Sequence, residues 1–194
     1  MPRSTATIAL AVAAILALSA CAAPAAGPDT PEPPATSATP ATPSAPSAPT
    51  PTPTPEPAPV PAQLQFSTTT VADGAAFEGA SLAGKKTVLW FWAPWCPVCQ
   101  AESGTVAATL EELPGDVTLI GVSGRADVPA MQAFLTDYGV GGFEHIADVD
   151  GTVWGNFGIS YQPAFAFIGS DGEITTVPSA MSMADILAAA QELA

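Results

Sequence analysis

The chain has 194 residues, with 18 acidic and 4 basic side chains, one His and three Cys, and a net charge of −14. So acidic a surface has no electrostatic footprint for DNA or RNA and no polybasic grip on anionic lipid, and nucleic acid is not expected as a partner. No segment supplies the ~20 continuous apolar residues that a membrane-spanning helix needs.

Residues 1–20 have the layout of an export signal. Arg3 is the positive end, Ile8 to Leu18 the apolar core, and Leu18-Ser19-Ala20-Cys21 closes it. Small residues before a Cys resemble a bacterial lipobox. That resemblance implies that Cys21 is lipidated, becomes the first mature residue and anchors the protein to the outer face of the cell membrane. The other reading is an ordinary cleaved signal with an incidental Cys. Either way, the mature protein is expected outside the cytoplasm, where disulfides persist. Residues 21–62 carry 15 prolines in 42 positions, mixed with Ala, Thr and Ser. Such a segment has little to bury and few backbone donors, so a disordered, extended linker is expected, reaching ~3.1 Å per residue.

Residues 63–194 remain, enough for one domain with an apolar core. They keep 15 acids against Lys85, Lys86 and Arg125, a balance of −12. Alternation and Thr-rich composition predict a strand from Leu64 to Val71, and a short strand and turn follow from Ala76 to Gly84. Thr87 to Trp92 is a continuous β-branched and aromatic run, as in a central strand covered on both faces. Ala93-Pro94-Trp95 breaks it. Pro97 suits the first turn of a helix running to about Leu113, where Pro114-Gly115 stops it.

The rhythm then repeats. Val117 to Val122 is predicted as a strand, and Val128 to Tyr138 as a helix ended by Gly139. Glu144 to Asp148 is a short strand and Val153 to Phe157 a helical turn. Ala164 to Ile168 and Glu173 to Val177 flank Ser170-Asp171-Gly172, a hairpin signal. Ser182 with Asp185 caps a last helix to about Leu193. The expected fold class is mixed α/β, a three-layer sandwich around a mixed sheet.

The chemistry is concentrated in Trp92-Ala93-Pro94-Trp95-Cys96-Pro97-Val98-Cys99. Two Cys three apart at a strand-to-helix junction place the first thiol at a helix N-terminus, where unpaired N–H groups and the macrodipole stabilise a thiolate. The second, one turn on, can close a short, reducible disulfide. A zinc site needs four ligands, and His145 plus one Cys pair cannot supply them. A purely structural bridge would barely constrain the unfolded chain, because its loop is so short. Redox chemistry is the reading left, with no metal and no cofactor.

The Trp-Cys-x-x-Cys junction, the βαβ…ββα order and a later Pro-containing strand entry resemble the thioredoxin fold. Leu89 to Glu102 is similar to the TlpA/DsbE-like secreted branch, especially its actinobacterial disulfide oxidoreductases. The resemblance implies that Cys96 is an exposed nucleophile of lowered pKa and Cys99 the buried resolving thiol. Tyr161-Gln162-Pro163-Ala164 matches the loop whose Pro163 is cis and faces the Cys pair, the other reading being a trans strand-entry proline. That loop, with Gln162, would offer backbone groups to an extended substrate; Trp95 and Pro97 flank the same place.

Glu102 sits one turn after Cys99, on the same side of the helix. Cytoplasmic thioredoxins carry a buried Asp six residues before the first Cys, and this chain has Trp90 there. Glu102 is therefore a candidate for the carboxylate that exchanges a proton with Cys99; the other reading is a solvated Glu favoured by the helix dipole. The helix proline of the family is Gly104 here, which puts the helix geometry near Glu102 in doubt. Trp92 reads as core, His145 as a strand residue without a catalytic partner, and Arg125 as a loop cation without a task.

Peroxidases of the peroxiredoxin class share the fold but need Thr or Ser where this chain has Ala93. A copper carrier would want Cys-x-x-x-Cys and a His. Within the redoxin reading, oxidation of dithiols in exported proteins is expected over the reductive chemistry of cytochrome-maturation relatives. Pro97-Val98 resembles the dipeptide of disulfide donors, the buried Asp is absent and the compartment is oxidising. Glu102, shared with reducing members, points the other way. Neither the substrate nor a membrane redox partner can be named from the sequence.

Overall fold

A computed structural model describes residues 59–194. The export signal, Cys21 and most of the Pro-rich segment lie outside the described residues. After a 3-10 turn at Ala62–Leu64, the chain forms β1 (Ser67–Thr70), β2 (Ala76–Glu78) and a second 3-10 turn, Gly79–Leu82. Then come β3 (Lys86–Trp92), α1 (Pro97–Glu112), β4 (Val117–Gly124), α2 (Val128–Asp137), β5 (Glu144–Asp148) and α3 (Thr152–Asn156). The hairpin β6 (Ala164–Ile168) and β7 (Ile174–Val177) leads to α4 (Met183–Gln191).

The strand expected from Leu64 is shorter than predicted. Pro61 opens a turn in which the Leu64 N–H donates to its carbonyl at 3.0 Å, and Leu64 is buried as an anchor ahead of the strand. Val60 already packs against the core, so the packed chain starts before residue 63.

The seven strands are ordered β2-β1-β5-β4-β3-β6-β7. The pairs β3–β4 and β4–β5 are parallel, and the outer pairs antiparallel. From Thr87 to Trp92 every side chain of β3 is buried, because both faces are covered. Trp90 and Trp92 point to one face, where Phe134 of α2 stacks on Trp92 with ring centroids 4.2 Å apart and α1 packs along α4. Phe91 points to the other and meets Trp154 and Phe157 at 6.3 and 5.4 Å. These are the three layers expected.

Gly121 of β4 shows how tightly the first face is packed. A methyl there would run into His145 Nδ1 and Trp92 Nε1, so only glycine leaves room for their hydrogen bond. Gly139, with φ of 68°, ends α2 where predicted. The register pairs Trp92 with Ser123 and Phe91 with Ala164. The ends of β3 and β4 and the start of β6 therefore meet at one pole of the sheet, and their loops build the site.

Candidate active site

β3 ends at Trp92, a turn closes with the Cys96 N–H on the Ala93 carbonyl at 3.1 Å, and α1 starts at Pro97. Cys96 is the N-cap. Its extended backbone, φ −88° and ψ 111°, lets Sγ accept from the Cys99 N–H at 3.1 Å. That N–H is one of the first-turn donors without an intrahelical partner, so the helix end places partial positive charge on this sulfur. Cys96 and Cys99 are paired, with Cα atoms 5.3 Å apart, inside the range a disulfide tolerates.

The expected exposure of Cys96 needs correction. Cys96 is 3% exposed and Cys99 fully buried. The cover comes from the loop before β6, where the Gln162 carbonyl oxygen lies 4.0 Å from Cys96 Sγ. The Gln162–Pro163 peptide bond is cis, and Pro163 is buried while Gln162 is half-buried. Three large apolar side chains that neighbour these residues in the chain are exposed: Trp95 and Val98, on either side of Cys96 and Pro97, and Tyr161, next to Gln162. Pro97 is exposed beside them. The Trp95 indole N–H donates to the Arg125 carbonyl at 3.2 Å.

Glu102 is not a solvated helix residue, being 7% exposed. Oε2 accepts from Trp90 Nε1 at 3.0 Å, and Oε1 from the Met181 N–H at 2.8 Å. Burial pushes its carboxyl above the ordinary range, against the smaller opposing pull of the Met181 and Trp90 donors. The doubt raised by Gly104 does not materialise, since α1 is one helix of 16 residues through that position. Met181 carried no signal in the sequence, because a backbone donor is invisible there.

His145 is a core residue below the site. Trp92 Nε1 donates to its Nδ1 at 3.1 Å, so Nε2 carries the proton and donates to the Val140 carbonyl at 2.7 Å. Burial pushes its pKa down to about 4. Among the described residues, no group of three or more His, Cys, Asp or Glu is placed to hold a metal ion. Arg125, without a task in the sequence, lies between the Trp95 loop and the Pro163 loop.

A family model described as the AhpC/TSA family matches residues 60–177, more than half of the chain. The chain belongs to the AhpC/TSA family. The soluble secreted antigen MPT53 of Mycobacterium tuberculosis is 46% identical to it over 113 residues, 58% of this chain and 64% of that protein. The match thus spans less than two thirds of that relative's length. A structure of MTB dsbF in mixed oxidised and reduced forms is 48% identical, with a TM-score of 0.67, covering 70% of this chain and all of that one. A secreted Mycobacterium tuberculosis disulfide oxidoreductase homologous to E. coli DsbE is 42% identical, with a TM-score of 0.62, covering 68% of this chain and 98% of that one. These likenesses bear out the thioredoxin-like fold and the resemblance to secreted disulfide oxidoreductases. This AhpC/TSA member has Ala93, buried, three residues before Cys96. A side chain of that kind offers no hydroxyl to a peroxide.

Proposed function

We propose that the domain catalyses thiol–disulfide exchange on exported proteins, using Cys96 and Cys99, and that it works as an oxidant. The observation that carries this reading is the Cys99 N–H held on Cys96 Sγ at 3.1 Å. It sits at a helix N-terminus and stabilises negative charge on one sulfur of the pair. A dithiol whose reduced form is stabilised in this way is an oxidising couple.

In the oxidising direction a substrate thiolate attacks Cys96 Sγ. The Cys96–Cys99 bond breaks, a mixed disulfide forms, and Cys99 leaves as a thiolate. Glu102, favoured in its neutral form by burial, is the group assigned to protonate that thiolate. A second substrate thiolate then attacks the substrate sulfur of the mixed disulfide and releases Cys96. Two electrons have passed to the pair and one disulfide to the substrate. The apolar rim of Trp95, Val98 and Tyr161, with Pro97 and the Gln162 carbonyl, is the surface assigned to an extended substrate segment. Reoxidation requires an oxidising partner, assigned to the membrane, and Cys21 is the residue assigned to hold the domain there by a lipid.

One observation favours the opposite direction, reduction as in cytochrome-maturation relatives: a buried carboxyl at Glu102 can also take a proton from Cys99 and activate it. The reduction potential separates the two. Oxidation predicts a value well above the ~−270 mV of thioredoxin, towards ~−120 mV, and oxidation of reduced, unfolded protein. A value at or below that of thioredoxin, with no such oxidation, gives the reductive reading. Ala93 argues against a peroxidase, and no consumption of hydrogen peroxide is expected.

A further inference from the structure

Arg125 follows Gly124 at the end of β4 and has a φ of +57°, the one non-glycine in the left-handed region among the described residues. Any side chain there costs backbone energy that glycine would not, so the contacts of this one must offset it. Its N–H donates to the Asp148 carbonyl at 3.1 Å, and its carbonyl accepts from Trp95 Nε1 at 3.2 Å. Its Nη1 donates to the Ser160 carbonyl at 3.3 Å. The guanidinium carbon lies 5.0 Å over the Trp154 ring. That indole is itself fixed, its Nε1 on the Val122 carbonyl at 3.2 Å, so the guanidinium rests on a rigid plane.

Trp95 directly precedes Cys96. Ser160 stands two residues before Gln162, whose carbonyl covers the Cys96 sulfur at 4.0 Å. The two loops that flank the reactive sulfur are thus tied together through one residue, by its backbone on one side and its side chain on the other. Lysine could not repeat this, because a compact ammonium cannot lie flat on an indole and reach the Ser160 carbonyl with a planar fork.

We propose that Arg125 is a positioning residue for protein substrates: it sets the spacing between Trp95 and the Ser160–Pro163 loop, the walls between which an extended segment reaches Cys96. The inference rests on the thiol–disulfide reading above. A small dithiol passes between the walls in many orientations, whereas a polypeptide must fit them.

The test compares the full chain with Arg125→Gly and Arg125→Lys, on reduced unfolded ribonuclease A and on dithiothreitol. Arg125→Gly keeps the carbonyl that Trp95 uses and relieves the backbone, so it is expected to fold; thermal unfolding checks both variants. The ratio of kcat/KM for ribonuclease A to that for dithiothreitol should fall about tenfold in both variants, as the loss of a hydrogen bond from a charged donor implies. The fall should lie in KM for ribonuclease A. An unchanged ratio, whether both rates hold or fall together, overturns the proposal and leaves Arg125 a structural residue. A wild type inert towards both reagents overturns the thiol–disulfide reading instead, and this inference with it.

Discussion

Trp90 Nε1 donates to Glu102 Oε2 across 3.0 Å, joining the centre of β3 to the helix that carries Cys99. The Met181 N–H occupies the other carboxylate oxygen, so the group is held by two donors, one on β3 and one in the segment between β7 and α4. Burial favours its neutral form and the two donors favour its ionised form, with burial the larger effect. The residue that stands where thioredoxins keep a buried Asp therefore helps to set the ionisation of the carboxyl proposed to replace it.

Trp90→Phe keeps an aromatic side chain, smaller than the indole, and removes the donor. Leaving Oε2 unpaired in a buried place should cost about 1–3 kcal/mol of stability. The Glu102 carboxyl should also titrate higher than in the wild type, because one of its ionised-state partners is gone. Carboxyl NMR with labelled Glu reads this directly, and an unmoved titration would count against the pair.

Glu102→Gln should slow protonation of Cys99 and so the exchange reaction, by about a hundredfold at most pH values. It should also remove one limb of the pH–rate profile; a profile unchanged in shape would assign Glu102 to structure alone. Stability offers a second reading. The folded-state pKa is raised, so the contribution of Glu102 is fully present below the ordinary carboxylate pKa and is lost as pH rises through the folded value. Asp148, raised by its own burial, acts in the same direction and remains in the variant. Denaturant unfolding should therefore fall off less steeply with rising pH in Glu102→Gln than in the wild type.

His145 acts with the opposite sign. Its pKa falls from 6.5 to about 4 on folding, and it is 3% exposed. The unfolded chain binds the extra proton first, so this residue takes stability away as pH falls from about 6.5 and has done so fully below about 4. The span corresponds to roughly 3 kcal/mol. In His145→Phe the difference from wild type should shrink by that order between neutral pH and pH 4. A difference independent of pH would mean that the imidazole is not held neutral.

Much of this was legible in the sequence, and the part that was not shares one physical cause. The continuous apolar run of β3, Pro97 at the start of α1, the hairpin around Ser170-Asp171-Gly172 and the Cys96–Cys99 spacing are local patterns, and they placed the sheet centre and the redox pair. The cover on Cys96 comes from Gln162, 66 residues away, and one donor on Glu102 comes from Met181, 79 residues away. Arg125 takes its task from Trp95 and Ser160, 30 and 35 residues off. None of these contacts has a periodicity, and each of the four pairs a side chain with a backbone group of the kind nearly every residue carries.

The membrane anchor is a separate claim. Cys21→Ala should move the protein from the membrane fraction to the soluble one, with the exchange activity of the domain retained. A wild type already soluble, with no lipid mass on its N-terminal peptide, would remove the anchor and leave the redox chemistry as it stands.

The central claim is that Cys96 is the sulfur that exchanges with substrate, while Cys99 only opens or closes the internal disulfide. The most direct measurement is the trapping of mixed disulfides with a reduced, unfolded protein that carries a single Cys, resolved on non-reducing gels for Cys99→Ser and Cys96→Ser. The helix N-terminus and the Cys99 N–H favour Cys96 as the sulfur that exchanges with substrate. With the remaining Cys of each variant supplied as an activated mixed disulfide, Cys99→Ser should exchange with the substrate thiol and accumulate the covalent complex, since no second thiol is there to release Cys96, and Cys96→Ser should accumulate none. Equal trapping by both variants, or trapping by Cys96→Ser alone, would contradict the assignment.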